Sequence, residues 1–196
     1  MKILKIISLL FLICSLSLAQ PKSNLTIIYD LIDDNVNQLI EKLPQQTNKI
    51  IFEYSTLPEY ESLESRFIYN LDNENYLVES EEDFPTLKYS LDQIGILYSE
   101  PFRGGLLSDY KIERRIFLNG TMALGKGIKV IKTDFIESTY RDTLFYSEIE
   151  NVESPSLQIT QGTKPSEPLF ESLLEPVIAV GAVIVTIILL FTVRSK

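Results

Sequence analysis

Residues 110–124 read YKIERRIFLNGTMAL. Tyr110, Ile112, Ile116, Leu118, Met122 and Leu124 recur at even spacing, so one face of an extended strand is apolar. Arg114 falls on that same face, where a cation requires a carboxylate across the strand. Asp134, or an acid near Glu113, is the expected partner. Gly125-Lys126-Gly127 then supplies a hairpin turn into a strand over 128–136, and a last strand near 143–149 completes an antiparallel meander. Upstream, Leu87, Tyr89 and Leu91 alternate; Ile94, Ile96 and Tyr98 resume after a phase change at Asp92-Gln93, the mark of a bulge or tight turn.

Before position 75 the period lengthens. Ile28, Leu31, Ile32, Val36, Leu39, Ile40 and Leu43 have helical spacing, with Asp33, Asp34, Asn37, Gln38 and Glu41 on the other side. Ser23 or Asn24 caps this helix and Pro44 ends it. Residues 49–55 (KIIFEYS) read as a buried strand. Thr56-Leu57-Pro58-Glu59 has the form of a capping box before a second helix that presents Tyr60, Leu63, Phe67, Ile68 and Leu71. Tyr76-Leu77-Val78 follows as a short strand, and a strand–helix–strand order favours a parallel crossover. The expected class is α+β: two N-terminal amphipathic helices packed on a mainly antiparallel sheet, followed by one C-terminal transmembrane helix. The order helix, strand, helix, strand resembles the opening of several bacterial envelope proteins, the curli-secretion lipoprotein type among them. The resemblance lies in element order alone.

The chain has 196 residues, 18 basic against 27 acidic for a net charge of −9, and a mean hydropathy of +0.08. Its apolar excess sits at the two ends. Residues 1–19 carry Lys2 and Lys5, an apolar run from Ile6 to Ile13, and Ser17-Leu18-Ala19. This is a signal-peptide pattern with cleavage between Ala19 and Gln20. Cys14 follows Leu12 and Ile13 rather than a small residue, so it reads as filler of the apolar run and not as a lipidation site. Val177 to Val193 reads VIAVGAVIVTIILLFTV, with Arg194 and Lys196 behind it, the pattern of a membrane anchor whose basic end stays in the cytoplasm. The expected organisation is therefore a signal peptide (1–19), an exported domain (20–150), an extended juxtamembrane spacer (151–175), a transmembrane helix (176–193) and a cytoplasmic tail (194–196).

The composition removes whole chemistries. With no His and a single Cys, Ser-His-Asp catalysis and His/Cys zinc sites are excluded. Lys126, Lys129 and Lys132 lack a Ser-x-x-Lys partner. Glu79, Glu81, Glu82 and Asp83, and separately Asp33-Asp34, are acidic runs rather than carboxylates opposed across a cleft. Asp72-Asn73-Glu74-Asn75 lacks the glycine and distal glutamate of a calcium loop. Arg103-Gly104-Gly105 does not follow a strand in any nucleotide-binding pattern. No catalytic, metal or cofactor residue is assigned, and the acidic balance disfavours nucleic acid as a partner. Phe102, Arg103, Leu106 and Leu107 form the candidate partner surface, since four such side chains flank a glycine-rich loop.

The expected function is a non-enzymatic, membrane-anchored protein of a bacterial cell envelope. It is expected to be a single-pass protein of the inner membrane whose exported domain docks on another envelope or membrane protein. A carboxylate-based glycan hydrolase and a sensor or accessory subunit of a membrane complex are the alternatives.

Overall fold

In a computed structural model of the chain, Ser23 Oγ accepts a hydrogen bond from the Thr26 amide at 3.1 Å and starts helix α1 (Asn24–Lys42). The structure describes residues 20–47, 49–77, 84–105, 108–127, 129–166 and 169–193. The signal segment with Ala19, the acidic run 79–83, Leu106, Leu107, Arg194 and Lys196 lie outside the described residues. Leu43, extended as a residue before proline must be, closes α1 ahead of Pro44. The helix buries Ile27, Ile28, Leu31, Ile32, Val36 and Leu39, and also Asn24 and Asn35.

Strand β1 (Ile51–Thr56) leads into a 3-10 turn (Pro58–Leu63) and helix α2 (Glu64–Asn73). The capping box expected at Thr56–Glu59 does not form. Thr56 Oγ1 donates instead to the Leu91 carbonyl at 3.0 Å, and the turn begins at Pro58 without a side-chain cap. Phe67 and Leu71 are fully buried, whereas Ile68 points outward at 42% exposure. Asn75, with φ of 59°, ends α2: the Tyr76 amide reaches back to the Leu71 carbonyl at 3.0 Å. The acid and amide run Asp72–Asn75 is thus a helix stop of the left-handed kind.

Strands β2 (Thr86–Tyr98), β3 (Lys111–Lys126) and β4 (Lys129–Phe145) complete a sheet of order β1-β2-β3-β4. The β1–β2 pair is parallel and the other two are antiparallel, so the class is α+β. The parallel partner of β1 is β2; Leu77 makes only an isolated bridge to Ile50. The expected bulge in β2 lies between Leu91 and Gln93. The expected strands 128–136 and 143–149 are one strand, β4, and residues 146–152 turn helical, ending in the short α3 (Ile149–Val152). Lys132, Asp134, Ser138 and Asp142 occupy inward positions of β4. They hide the strand from a hydropathy pattern without breaking it.

One face of the sheet packs on α1 and α2. Leu87, Tyr89, Leu91, Ile116, Leu118, Met122 and Leu124 meet Ile28, Ile32, Leu39, Phe67 and Leu71 in one core. A polar chain crosses it: Tyr89 Oη donates to Asn35 Oδ1 at 2.6 Å, Asn35 Nδ2 to Ser138 Oγ at 2.8 Å, and Ser138 Oγ to Asp34. Every member has a partner, as buried polar atoms require. Gly120 makes room for it, because a Cβ there would stand 2.2 Å from Tyr89 Oη.

The stretch 153–163, read from sequence as spacer, lies against the sheet. Thr163 bridges Leu97 in parallel, beyond the end of β1. The Gly162 amide donates to Glu153 Oε1 at 2.9 Å, and Ile159 packs on the core.

Helix α4 (Leu169–Val193) carries the C-terminal apolar run. Among the described residues, no helix is long and apolar enough to cross a membrane. The transmembrane helix expected over 176–193, and the single-pass topology built on it, are corrected accordingly. The charge-free run from Val177 to Val193, which includes Gly181, Thr186 and Thr192, rises only ~26 Å at ~1.5 Å per residue against a hydrocarbon core of ~30 Å. The preceding turns hold Glu171, Glu175 and Pro176. The large side chains from Val177 to Phe191 are 48–77% exposed.

Burial holds the phenol of Tyr54 neutral and pushes its pKa up to about 12, and it raises those of Tyr89 and Tyr98 further. A phenol whose folded pKa exceeds its unfolded value of ~10 contributes stability that is fully present below pH ~10 and is lost as pH rises above it. The urea midpoint is therefore expected to hold to pH ~9.5 and to fall steadily from pH 10 toward 12. Tyrosinate absorbance of these three residues should appear only with unfolding. A midpoint unchanged to pH 11.5 would contradict it.

Candidate functional site

The second face of the sheet is open. Lys88, Gln93, Leu97, Arg115, Thr121, Phe135, Thr139 and Arg141 are exposed there, and among the described residues no element covers them. On this face the Phe117 ring reaches over Gly95 of β2. It occupies the space of the missing side chain there, where a Cβ would stand 2.1 Å from Phe117 Cζ. The Arg115 guanidinium sits 5.6 Å from the centre of the same ring, an attraction between a cation and the face of an aromatic. Asn119, in the middle of the face, has a buried Oδ1 with no hydrogen-bond partner among the described residues.

Where β2, β3 and β4 end together, the open face hollows into a concavity of about 590 Å3 walled by Leu97, Ser99, Glu113, Arg115, Arg141 and Thr143. Arg115 and Arg141 stand directly opposite each other in the β3–β4 register. Neither forms a hydrogen bond or ion pair among the described residues. Like charges at such a position repel, at a cost of a few tenths to ~1 kcal/mol.

Beneath the concavity, Arg114 is fully buried. Its Nε and Nη2 donate to the two oxygens of Asp142 at 2.9 and 2.6 Å, and its Nη1 donates to the Lys22 carbonyl at 2.9 Å and Asn24 Oδ1 at 2.6 Å. Asn24 Nδ2 in turn donates to Tyr98 Oη at 2.9 Å and the Thr160 carbonyl at 2.8 Å. Tyr98 Oη donates to Glu153 at 3.1 Å. The partner of Arg114 is thus Asp142 and not Asp134. Asp134 pairs with Lys42 at 2.8 Å, and that hydrogen bond lowers its pKa.

The other residues singled out in the sequence are placed as follows. Phe102 is 45% exposed and bridges Lys111 in antiparallel fashion. The Arg103 guanidinium lies 5.0 Å from the centre of the Tyr110 ring. Leu106 and Leu107, the other half of that surface, lie outside the described residues. Asp33 is held by Arg66 Nε at 2.8 Å and Asn70 Nδ2 at 2.6 Å, tying α2 to α1. Asp34 accepts from Ser138 and from Gln38. Both carboxylates therefore serve the packing of helices. Lys132 Nζ donates to the Lys42 carbonyl at 3.1 Å, so it too is a tie between α1 and β4. Sequence reasoning missed Arg115 and Arg141, whose opposition depends on the register of the hairpin.

No known protein family and no curated protein matches the chain. Among solved structures it is similar to rare lipoprotein B from Shewanella oneidensis, at 14% identity over 74% of this chain and 92% of that one, with a TM-score of 0.34. It is also similar to a minor lipoprotein from Acinetobacter baumannii, at 17% identity over 59% and 82%, with a TM-score of 0.34. A neuraminyllactose-binding hemagglutinin homolog from Helicobacter pylori gives 13% identity over 52% and 68%, with a TM-score of 0.33. At such TM-scores the likeness assigns neither fold family nor function to this chain.

The opposed arginines make a direct prediction. Arg141→Glu replaces a cross-strand repulsion by an attraction and should raise Tm by roughly 2–4 °C at low ionic strength. The gain should shrink in ~0.5 M salt, where exposed charges are screened. A Tm unchanged or lowered at low salt contradicts a repulsive Arg115–Arg141 pair.

Proposed function

We propose that residues 20–166 form a non-catalytic docking module of a cell envelope, and that the module meets another envelope protein through the open face of its sheet. The observation that carries the reading is the uncovered face itself. Strands of 13, 16 and 17 residues present Leu97, Phe135 and the Phe117 ring outward, next to an Asn119 oxygen that lacks a donor. The signal-peptide pattern at 1–19 supports export. The absence of His from the sequence, and the packing roles of Asp33 and Asp34, support a binding rather than a catalytic reading.

Residue-specific photo-crosslinking tests it in the cells that make the protein. With the crosslinking side chain placed at Phe135 or Thr139 of the open face, a defined adduct with another envelope protein is expected. With it placed at Tyr69, an exposed residue of α2, none is expected. Equal adducts from both sides, or none from the open face, would overturn the assignment.

A further inference from the structure

We propose that Arg115 and Arg141 form a binding site for an oxyanion, a phosphate or carboxylate group, on the open face at the β2–β3–β4 corner. The inference goes beyond docking, because it names a ligand chemistry and stands whichever macromolecule meets the rest of the face.

Four observations carry it. First, the two guanidiniums are register partners, which places their Cβ atoms about 5 Å apart. Two arginine side chains at that spacing are long enough to reach one anion held between them. Second, neither is neutralised. Arg66 and Arg114 each hold a carboxylate with both ends of the fork, whereas Arg115 and Arg141 hold none among the described residues. That is unexpected in a chain with 27 acidic against 18 basic residues. Glu113 stands one row away, opposite Thr143 rather than opposite either arginine. Third, Arg115 is steadied without being consumed. Its guanidinium rests over the Phe117 ring, which Gly95 seats against the sheet, so its donors stay available. Fourth, the pair borders a concavity of about 590 Å3, and the Thr143 hydroxyl on its rim makes no hydrogen bond among the described residues.

The chemistry follows from these parts. A guanidinium presents parallel N–H donors that match two oxygens of a phosphate or carboxylate. Two such forks converging on one anion convert a local repulsion into an attraction on both sides. Local rules broken without internal compensation are found at functional sites, and here the anion itself supplies the compensation. The Thr143 hydroxyl adds a donor, and Leu97 provides an apolar wall for whatever carries the charged group.

Calorimetric titration of the full chain in neutral detergent, at low ionic strength, tests the site with two probes, inorganic phosphate and citrate. Saturable binding of at least one probe with Kd in the millimolar range or tighter is expected, weakening with added salt. R115A and R141A should each raise that Kd by about tenfold or more, and the double variant should abolish saturation. K129A, at the far end of β4, should leave it unchanged. Phosphate binding alone assigns a phosphoryl ligand and citrate binding alone a carboxylate ligand; either supports the site. Both arginines are exposed, so the variants are expected to fold with Tm at or above that of the wild type. Failure of both probes to saturate, or an unchanged Kd in the double variant, overturns the proposal. Neither result bears on the crosslinking test, so the two readings fail separately.

Discussion

A fully buried arginine is the constraint on which the rest of this domain depends. Arg114 is taken out of water, and an unpaired charge in that position costs several kcal/mol. Its donors are met by Asp142 of β4, by the backbone at Lys22 where the chain enters α1, and by Asn24 in the first turn of that helix. Asn24 passes the connection on to Tyr98 of β2 and to Thr160 of the C-terminal segment. One polar cluster therefore joins the beginning of the domain, three of its strands and its end. The apolar core supplies most of the burial, but it does not by itself specify which residue of β4 faces Arg114.

That choice is made by a bulge. Gly125 pairs with Val130, while Leu124 pairs with Lys132, so Ile131 is an extra residue in β4. Without it the hairpin would slip by one, and Arg114 would stand opposite Arg141 instead of Asp142. A slip of one residue also turns every side chain to the other face of the sheet. The same shift sets Arg115 against Arg141 on the open side. The pairing that stabilises the interior and the repulsion that marks the surface are thus two results of one register.

The parts legible in the sequence were those whose pattern is local. The apolar stripe of α1, the Ser23 cap, the alternation in β3 and the bulge in β2 all lie within a few residues of their own signal. Arg114 was visible as a charge on an apolar face, and Asn24 and Asn35 lie on the buried stripe of α1 in the same way. Their partners were not visible. Asn35 meets Tyr89 across 54 positions and Asn24 meets Thr160 across 136, and only the register and the returning C-terminal segment bring them together. The inward row of β4 alternates Lys132, Asp134, Ile136, Ser138, Tyr140, Asp142 and Leu144, so polar residues at four of its seven positions hide one continuous strand from a hydropathy pattern. Ser138 and Asp142 are the β4 ends of the two buried polar chains. Phe102 and Arg103 stand out by loop composition alone. The opposed arginines required a register that composition does not carry.

The most direct test of Arg114 as the determinant is a double-mutant cycle on the full chain in neutral detergent, read by urea denaturation. Asp142→Ala leaves the guanidinium buried without its carboxylate and is predicted to cost about 3 kcal/mol or more. The double change Arg114→Met with Asp142→Ala removes both charges and is predicted to recover most of that loss. An Asp142→Ala cost below ~1 kcal/mol, or a double variant as unstable as the sum of its single changes, would contradict the central place given to this pair.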